Sequence, residues 1–488
     1  DKFYFTVDFS RENLSIEDKI SYYFTVSDND GVNGSKSTQS QTFVYELPTL
    51  SELNNKRDET QNQLQSSLAD VLKKAERFEK DVDRLKKALT NQSKSDFKNL
   101  EQIKQLQQEQ NQLQQELQQI QETLSQSNEE KNQLSEQDKE LLEQQELIDQ
   151  LLNEVMDDDL KKLLDELESL LQKNDQQQLK EETQKLDQST DDMKKQLDRT
   201  LEMLKKMQVN EKIDDAVKEL SELAKEQEKL KEALENNKLS AEDAAKKQEE
   251  INKQFEELKK DLDELNKLNE ELSRPMNLSD LEQLKSETTK DLNDAKSKLD
   301  QGKSSKAGQN QKAAAQKMQE MADQLAQDKE AANKKQNEED MGLIRVLLEN
   351  LIAISFDQEK TMQAALTVKD TDPFYRKLGR KQRSIFDDTK IIEDSLIALA
   401  KRQPKISTFI DRELTAIRSN FKLMIDDIDE HKRRELSAHQ QLVMTSLNNL
   451  ALLLNESLQS MQQQAQNQQK GNGSCSNPGG SGKGSSGG

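Results

Sequence analysis

Of the chain's 488 residues, 94 are acidic and 72 basic, and the net charge of −22 repels nucleic-acid phosphates, which disfavours any general affinity for nucleic acid. Hydrophobic residues make up only 32% and tryptophan is absent, too little apolar material for the three ordinary globular domains that the length suggests. No stretch approaches the ~18 to 20 apolar residues that span a bilayer, and the single cysteine, Cys475, excludes an intrachain disulfide framework.

Residues 1–48 read as strands. "KFYFTVDF" alternates Phe3, Phe5, Val7 and Phe9 with polar neighbours, "ISYYFTVS" alternates Ile20, Tyr22, Phe24 and Val26, and "QTFVYEL" does the same with Phe43, Tyr45 and Leu47. Three strands cannot bury a face alone, so the segment is expected to be the end of a truncated immunoglobulin- or fibronectin-like sandwich, with Tyr22 as a tyrosine corner. Between the last two runs, "SDNDGVNGSKS" raises a calcium site built on Asp28, Asp30 and Asn33. An EF-hand needs a ligand at position 5 and glutamate at position 12, where Val32 and Gln39 stand, so a hairpin turn is the preferred reading.

From residue 49 to 275 glycine is absent and proline appears only at the last position, and helix breakers of about 1 to 3 kcal/mol are thereby kept out. Leu64, Leu68, Val71, Ala75, Phe78, Val82, Leu85 and Leu89 step by four and three, the 3.5-residue period of a coiled-coil seam. The stepping returns from Ile103 to Leu124, from Ile213 to Leu234, and at Ile251, Phe255, Leu258, Leu262 and Leu265. Such registers exclude disorder despite the charge. Polar breaks at 90–96, 125–133, 173–178 and 235–240 predict long antiparallel hairpins rather than one rod. Gln110 and Gln227 interrupt the seams and would fix register at some cost in stability. "SAED" at Ser240 and "SDLE" at Ser279 are expected helix starts.

Residues 276–335 form an alanine-rich hairpin in this reading. Residues 336–470 carry wider apolar faces that suit a C-terminal bundle of three or four helices, with Asp372 capping Pro373 at one helix start. Residues 471–488 have the composition of a flexible Gly/Ser-rich linker. The fold class expected is therefore mainly α: long helical hairpins or coiled coil, a C-terminal bundle, and a small β segment at the N-terminus.

Candidate chemistry is sparse. "QGKSS" lacks the first glycine of a phosphate loop, since Ser297 stands there. His431 and His439 are preceded three residues earlier by Ile428 and Leu436, which fails the Glu-x-x-His metal pattern. Cys475 has no basic neighbour to activate it. "RKLGRKQR" places Arg376, Lys377, Arg380, Lys381 and Arg383 in one acidic chain, either as a solvated helix face or as a patch for an anionic partner such as lipid headgroups or an acidic helix. No catalytic group, cofactor or metal is assigned, and the chain is expected not to be an enzyme.

Three segments carry a resemblance: "YYFTVSDNDGVNG…SQTFVYELPTLSEL", "KLDQGKSSKAGQNQKAAAQKMQEMADQL" and "MTSLNNLALLLNESLQSMQ" with the Gly/Cys tail. Together they resemble the large bacterial envelope proteins of domain-of-unknown-function family 4175. The resemblance implies an extracytoplasmic, membrane-anchored protein of the cell envelope whose anchor lies outside these residues; the start at Asp1 is read as that of a fragment. The function expected is that of a structural scaffold with protein partners or self-association through helical surfaces, and no nucleic acid. Two alternatives are the arm of a chromosome-maintenance-type coiled-coil ATPase lacking its nucleotide domain, and a calcium- or glycan-binding sandwich on a helical stalk.

Overall fold

The computed structural model describes residues 19–27, 36–46, 50–91, 97–134, 139–156, 159–173, 175–236, 238–367, 373–403 and 406–471. The chain divides into two compact units, one of residues 1–71 with 115–137, the other of residues 72–114 with 138–488.

In the first unit, β1 (Lys19–Tyr22) pairs antiparallel with β4 (Phe43–Glu46), and β2 (Thr25–Ser27) pairs with β3 (Ser37–Gln39). Tyr22 lies opposite Phe43 and Thr25 opposite Gln39, so Tyr23 and Phe24 face the three residues Ser40 to Thr42. That extra residue is a bulge, and it splits the single strand expected over 20–26 into two. Ser40 fills the gap: its N–H donates to the Phe24 carbonyl at 2.8 Å, and its hydroxyl accepts from the Phe24 N–H at 2.9 Å. The rings of Tyr22, Phe24 and Phe43 pack with centroids 5.5 to 6.0 Å apart. Tyr23, Val26 and Val44 stay exposed. The run at 2–9 and the loop residues Asp28, Asp30 and Asn33 lie outside the described residues.

Two helices, α1 (Leu50–Asn91) and α2 (Phe97–Leu134), contribute residues to both units. Leu64, Leu68, Val71, Phe78, Val82 and Leu85 are buried, and Leu89 is half-buried. Helix α2 continues through 125–133, where the polar run suggested a break. The Ser and Asn residues there cost a helix only about 0.5 kcal/mol each, whereas glycine or proline would stop it.

The second unit adds α3 (Lys139–Val155), α4 (Asp159–Lys173), α5 (Gln176–Glu235), α6 (Ala241–Glu270), α7 (Glu282–Asp300), α8 (Ser304–Thr367), α9 (Pro373–Arg402), α10 (Ser407–Asp429) and α11 (Arg433–Gly471). Asp175 caps α5 by accepting from the Gln178 N–H at 3.1 Å, and Ser240 caps α6 by accepting from the Asp243 N–H at 3.1 Å. At α7 the expected cap at Ser279 is not made: the N-cap position is Leu281, which gives no side-chain cap bond. Asp280 accepts from the Glu282 N–H at 3.0 Å, while the Ser279 N–H donates to Asp328 on α8 at 2.7 Å. The 64 residues of α8 make a rod about 96 Å long that passes unbroken through residues 335 and 336.

One core gathers residues of α5 to α8, from Val209 to Leu325, and another gathers residues of α8 to α11, from Ile344 to Met461. The two are built to one plan. Leu281, Lys285, Thr288, Leu292, Ala295 and Leu299 are buried at α7, and 129 positions on so are Ile410, Leu414, Ile417, Phe421, Met424 and Ile428 at α10. The correspondence continues from Ala307, Gln311, Ala314 and Met318 to Leu436, Gln440, Val443 and Leu447. Seam residues Ile213 to Leu234 of α5 match Ile344 to Ala365 of α8 at a shift of 131. Gln248, Ile251, Phe255, Leu258, Leu262 and Leu265 of α6 match Gln382, Ile385, Thr389, Ile392, Leu396 and Leu399 of α9 at 134.

The backbone agrees. Gly302 (φ 71°) and His431 (φ 58°) hold the left-handed turn after α7 and after α10. At each, the following N–H bonds back across the turn at 2.8 Å, from Lys303 to the Lys298 carbonyl and from Lys432 to the Asp427 carbonyl. Part of a third copy precedes them: Leu160, Leu164, Leu167, Leu171, Leu179 and Thr183 match Thr288 to Gln311 at a shift of 128. The second unit is therefore a tandem of antiparallel helical bundles in which α8 is the last helix of one and the first of the next.

Candidate functional site

Each complete bundle carries one layer of glutamines through a largely apolar core. Gln227 of α5 and Gln248 of α6 donate to each other's carbonyls at 2.7 and 3.0 Å, and Gln311 of α8 donates to Gln248 at 3.0 Å. In the next bundle Gln382 of α9 and Gln358 of α8 exchange bonds of 2.6 and 3.4 Å, and Gln440 of α11 donates to Gln382 at 2.9 Å. All six side chains are fully buried. A buried amide is costly unless bonded, so a layer that closes only in one register specifies which helices pair and at what height. In both layers the third glutamine's carbonyl oxygen (Gln311 Oε1, Gln440 Oε1) has no hydrogen-bond donor.

The N-terminal half of α5 meets α9 and α10 through a polar seam. Arg199, 1% exposed, grips both oxygens of Asp411, with Nη2 at 2.6 Å from Oδ1. Arg418 pairs with Glu393 at 2.8 Å and approaches Asp192 at 3.5 Å, and the Thr415 hydroxyl donates to Asp192 at 2.7 Å. Burial raises the Asp192 carboxyl above its ordinary range, with Thr415 and Arg418 pulling the other way. Burial likewise raises Glu393 against the pull of Arg418, and burial lowers the Lys422 ammonium, helped by Lys86. These groups pair with one another across helices, and chemically the cluster is a clamp.

Arg376, Lys377, Arg380, Lys381 and Arg383 are all exposed on α9, because Leu378, Gly379 and Gln382 between them turn inward. Lys381 is tied to Asp357 at 2.6 Å and Arg383 to Asp429 at 3.0 Å. His439 Nδ1 lies 2.7 Å from Asp427, and His431 stacks on Tyr375 with centroids 5.1 Å apart. Among the described residues no group of three or more His, Cys, Asp or Glu side chains could hold a metal ion, and no helix is long and apolar enough to cross a membrane. Ile251, Phe255, Leu258, Leu262 and Leu265 are all buried in the core of α5 to α8.

The tandem was missed by sequence reasoning, although its signal was present: one four-three stepping recurs with the same eight-residue gap from Leu299 to Ala307 and from Ile428 to Leu436. Beyond the cores, the two bundles differ on their outsides. The groove between α5 and α8 is lined by Lys225, Glu228, Gln319, Glu320 and Asp323. At the matching positions on α8 and α11, Phe356 and Leu452 are exposed. Comparison with protein-family models, with curated proteins and with solved structures finds no match to this chain.

Proposed function

We propose that the chain is a non-enzymatic interaction scaffold of the bacterial cell envelope, working through the outer faces of its helical bundles. The observation that carries this reading is the tandem itself. Two bundles keep the same buried register and glutamine layer while their exposed positions diverge, from Lys225 to Phe356 and from Asp323 to Leu452. A frame repeated with different surfaces is suited to presenting different contacts along a rod. The 3.5-residue spacing of the buried positions supports coiled-coil-type packing within the bundles. The exposed aromatic faces of the β ribbon support its being one end of an immunoglobulin-like sandwich, and the resemblance of the quoted segments supports an envelope location with an anchor outside these residues.

Formaldehyde cross-linking in the native cell, followed by envelope fractionation, tests the reading. Discrete protein adducts in the envelope fraction are expected. Recovery with the nucleoid, or nucleotide turnover by the full-length protein, contradicts it and favours the chromosome-maintenance arm.

A further inference from the structure

We propose that the groove between α8 and α11 docks an amphipathic helix, with a basic flank, from a partner protein; this rests on the scaffold reading above. The tandem supplies an internal control that a single bundle lacks. Ile352, Phe356 and Leu452 are 48%, 58% and 60% exposed. At shifts of 131 and 129 their places in the preceding bundle are taken by Ser221, Lys225 and Asp323. The same backbone frame is therefore satisfied by polar residues at these positions, and the apolar set in the last bundle serves something outside it.

A surface hydrogen bond fixes how the two helices sit at this level. The Ser355 hydroxyl donates to the Asn448 side-chain carbonyl at 2.8 Å across the two helices. Ile352 lies one turn before Ser355 and Leu452 one turn after Asn448. Because α8 and α11 run antiparallel, both stand at the same level, with Phe356 beside them.

Size and charge select the occupant. Three side chains about half exposed make an apolar patch on the order of 300 Å². A stable dimer needs about 800 Å² from each partner, so a second copy of the chain is too large a guest for the patch alone. The apolar stripe of one helix, with anchors at i, i+3 and i+7, fits it. Glu349, Glu359 and Glu456 stand around the patch, partly offset by Arg345 and Lys360, in a chain of net charge −22. The flanks of the guest helix are accordingly lysine and arginine.

The test uses the whole chain and a fluorescein-labelled 18-residue peptide with leucines at helical spacing and lysine flanks, at physiological salt. Wild type is expected to bind it saturably, one peptide per chain. F356K/L452D, which copies the preceding bundle and leaves net charge unchanged, is expected to bind at least about tenfold more weakly, the effect of removing two apolar anchors. K225F/D323L, which builds the apolar groove into the preceding bundle, is expected to raise the stoichiometry to two. Equal affinity for wild type and F356K/L452D overturns the proposal in favour of charge alone. Absence of saturable binding overturns it as well, as does a wild-type dimer that F356K/L452D dissociates, which would make a second copy the occupant. Loss of peptide binding with envelope adducts still present would sink this groove and leave the scaffold reading standing.

Discussion

Gln440 donates its amide to the carbonyl of Gln382 at 2.9 Å inside a core otherwise made largely of Leu, Ile and Met, and neither side chain touches solvent. Because Gln382 also exchanges bonds with Gln358, it is the hub of its layer. Gln382→Leu strands two buried amides and is expected to cost about 2 to 3 kcal/mol in urea unfolding. Replacing Gln358, Gln382 and Gln440 together by leucine is expected to restore or exceed wild-type stability while loosening register. A triple variant as unstable as the single one would show that the layer is a source of stability rather than of specificity.

Arg199 and Asp411 are expected to behave as a buried pair. Arg199→Met leaves the Asp411 carboxylate without its bidentate partner and is expected to lose about 3 to 5 kcal/mol, whereas R199M/D411L recovers most of that. A double-mutant cycle by guanidinium denaturation checks it, and strictly additive losses would mean that the two side chains are not coupled.

At the left-handed turns the backbone alone sets the outcome. A Cβ added at Gly302 meets nothing within 4 Å, so Gly302→Ala is expected to lose about 1 kcal/mol purely from φ. His431→Gly at the matching turn relieves the same strain and gives up the Tyr375 stack, so its change in melting temperature is expected to be smaller than that of Gly302→Ala. Equal and large losses at both sites would contradict the equivalence.

The polar seam predicts a pH dependence with a definite sign. Asp192 and Glu393 have carboxyl pKa values raised in the folded state, chiefly by burial. Their contribution to stability is fully present below the ordinary carboxylate range, about pH 4, and is lost as pH rises through the raised folded values. The depressed Lys422 has the opposite sign: its contribution is present above the ordinary lysine value and is lost as pH falls through the lowered folded one. D192N/E393Q is therefore expected to unfold at higher denaturant than wild type at pH 8, with the gap closing towards pH 4. A gap that widens on acidification would reverse the assignment.

What was legible in the sequence was whatever spacing alone encodes. The four-three steps from Leu64 to Leu85 and from Ile251 to Leu265 place side chains on one helix face, and those side chains are buried. The tandem was masked rather than absent, because several matched residues differ in kind: Phe255 stands for Thr389, Ala216 for Leu347, and Gly302 for His431. Besides the glutamine layer and some of the apolar seam residues, the two bundles share register, gap length and backbone φ. The cap expected at Ser279 is not made because α7 starts later, with Leu281 at the N-cap position, and the Ser279 N–H donates to Asp328 on another helix. The groove of Phe356 and Leu452 needed the fold, since its residues lie about 100 positions apart and read singly as ordinary exposed apolar groups.

The most direct test of the scaffold account compares one position in two bundles. A photo-reactive amino acid at Ile352 and, separately, at its counterpart Ser221 would be illuminated in the native cell. Discrete envelope-protein adducts from position 352 and none from 221 are the predicted result. Identical adducts from both positions, or none from either, would contradict the claim that the outer face of the last bundle is where this protein meets its partner.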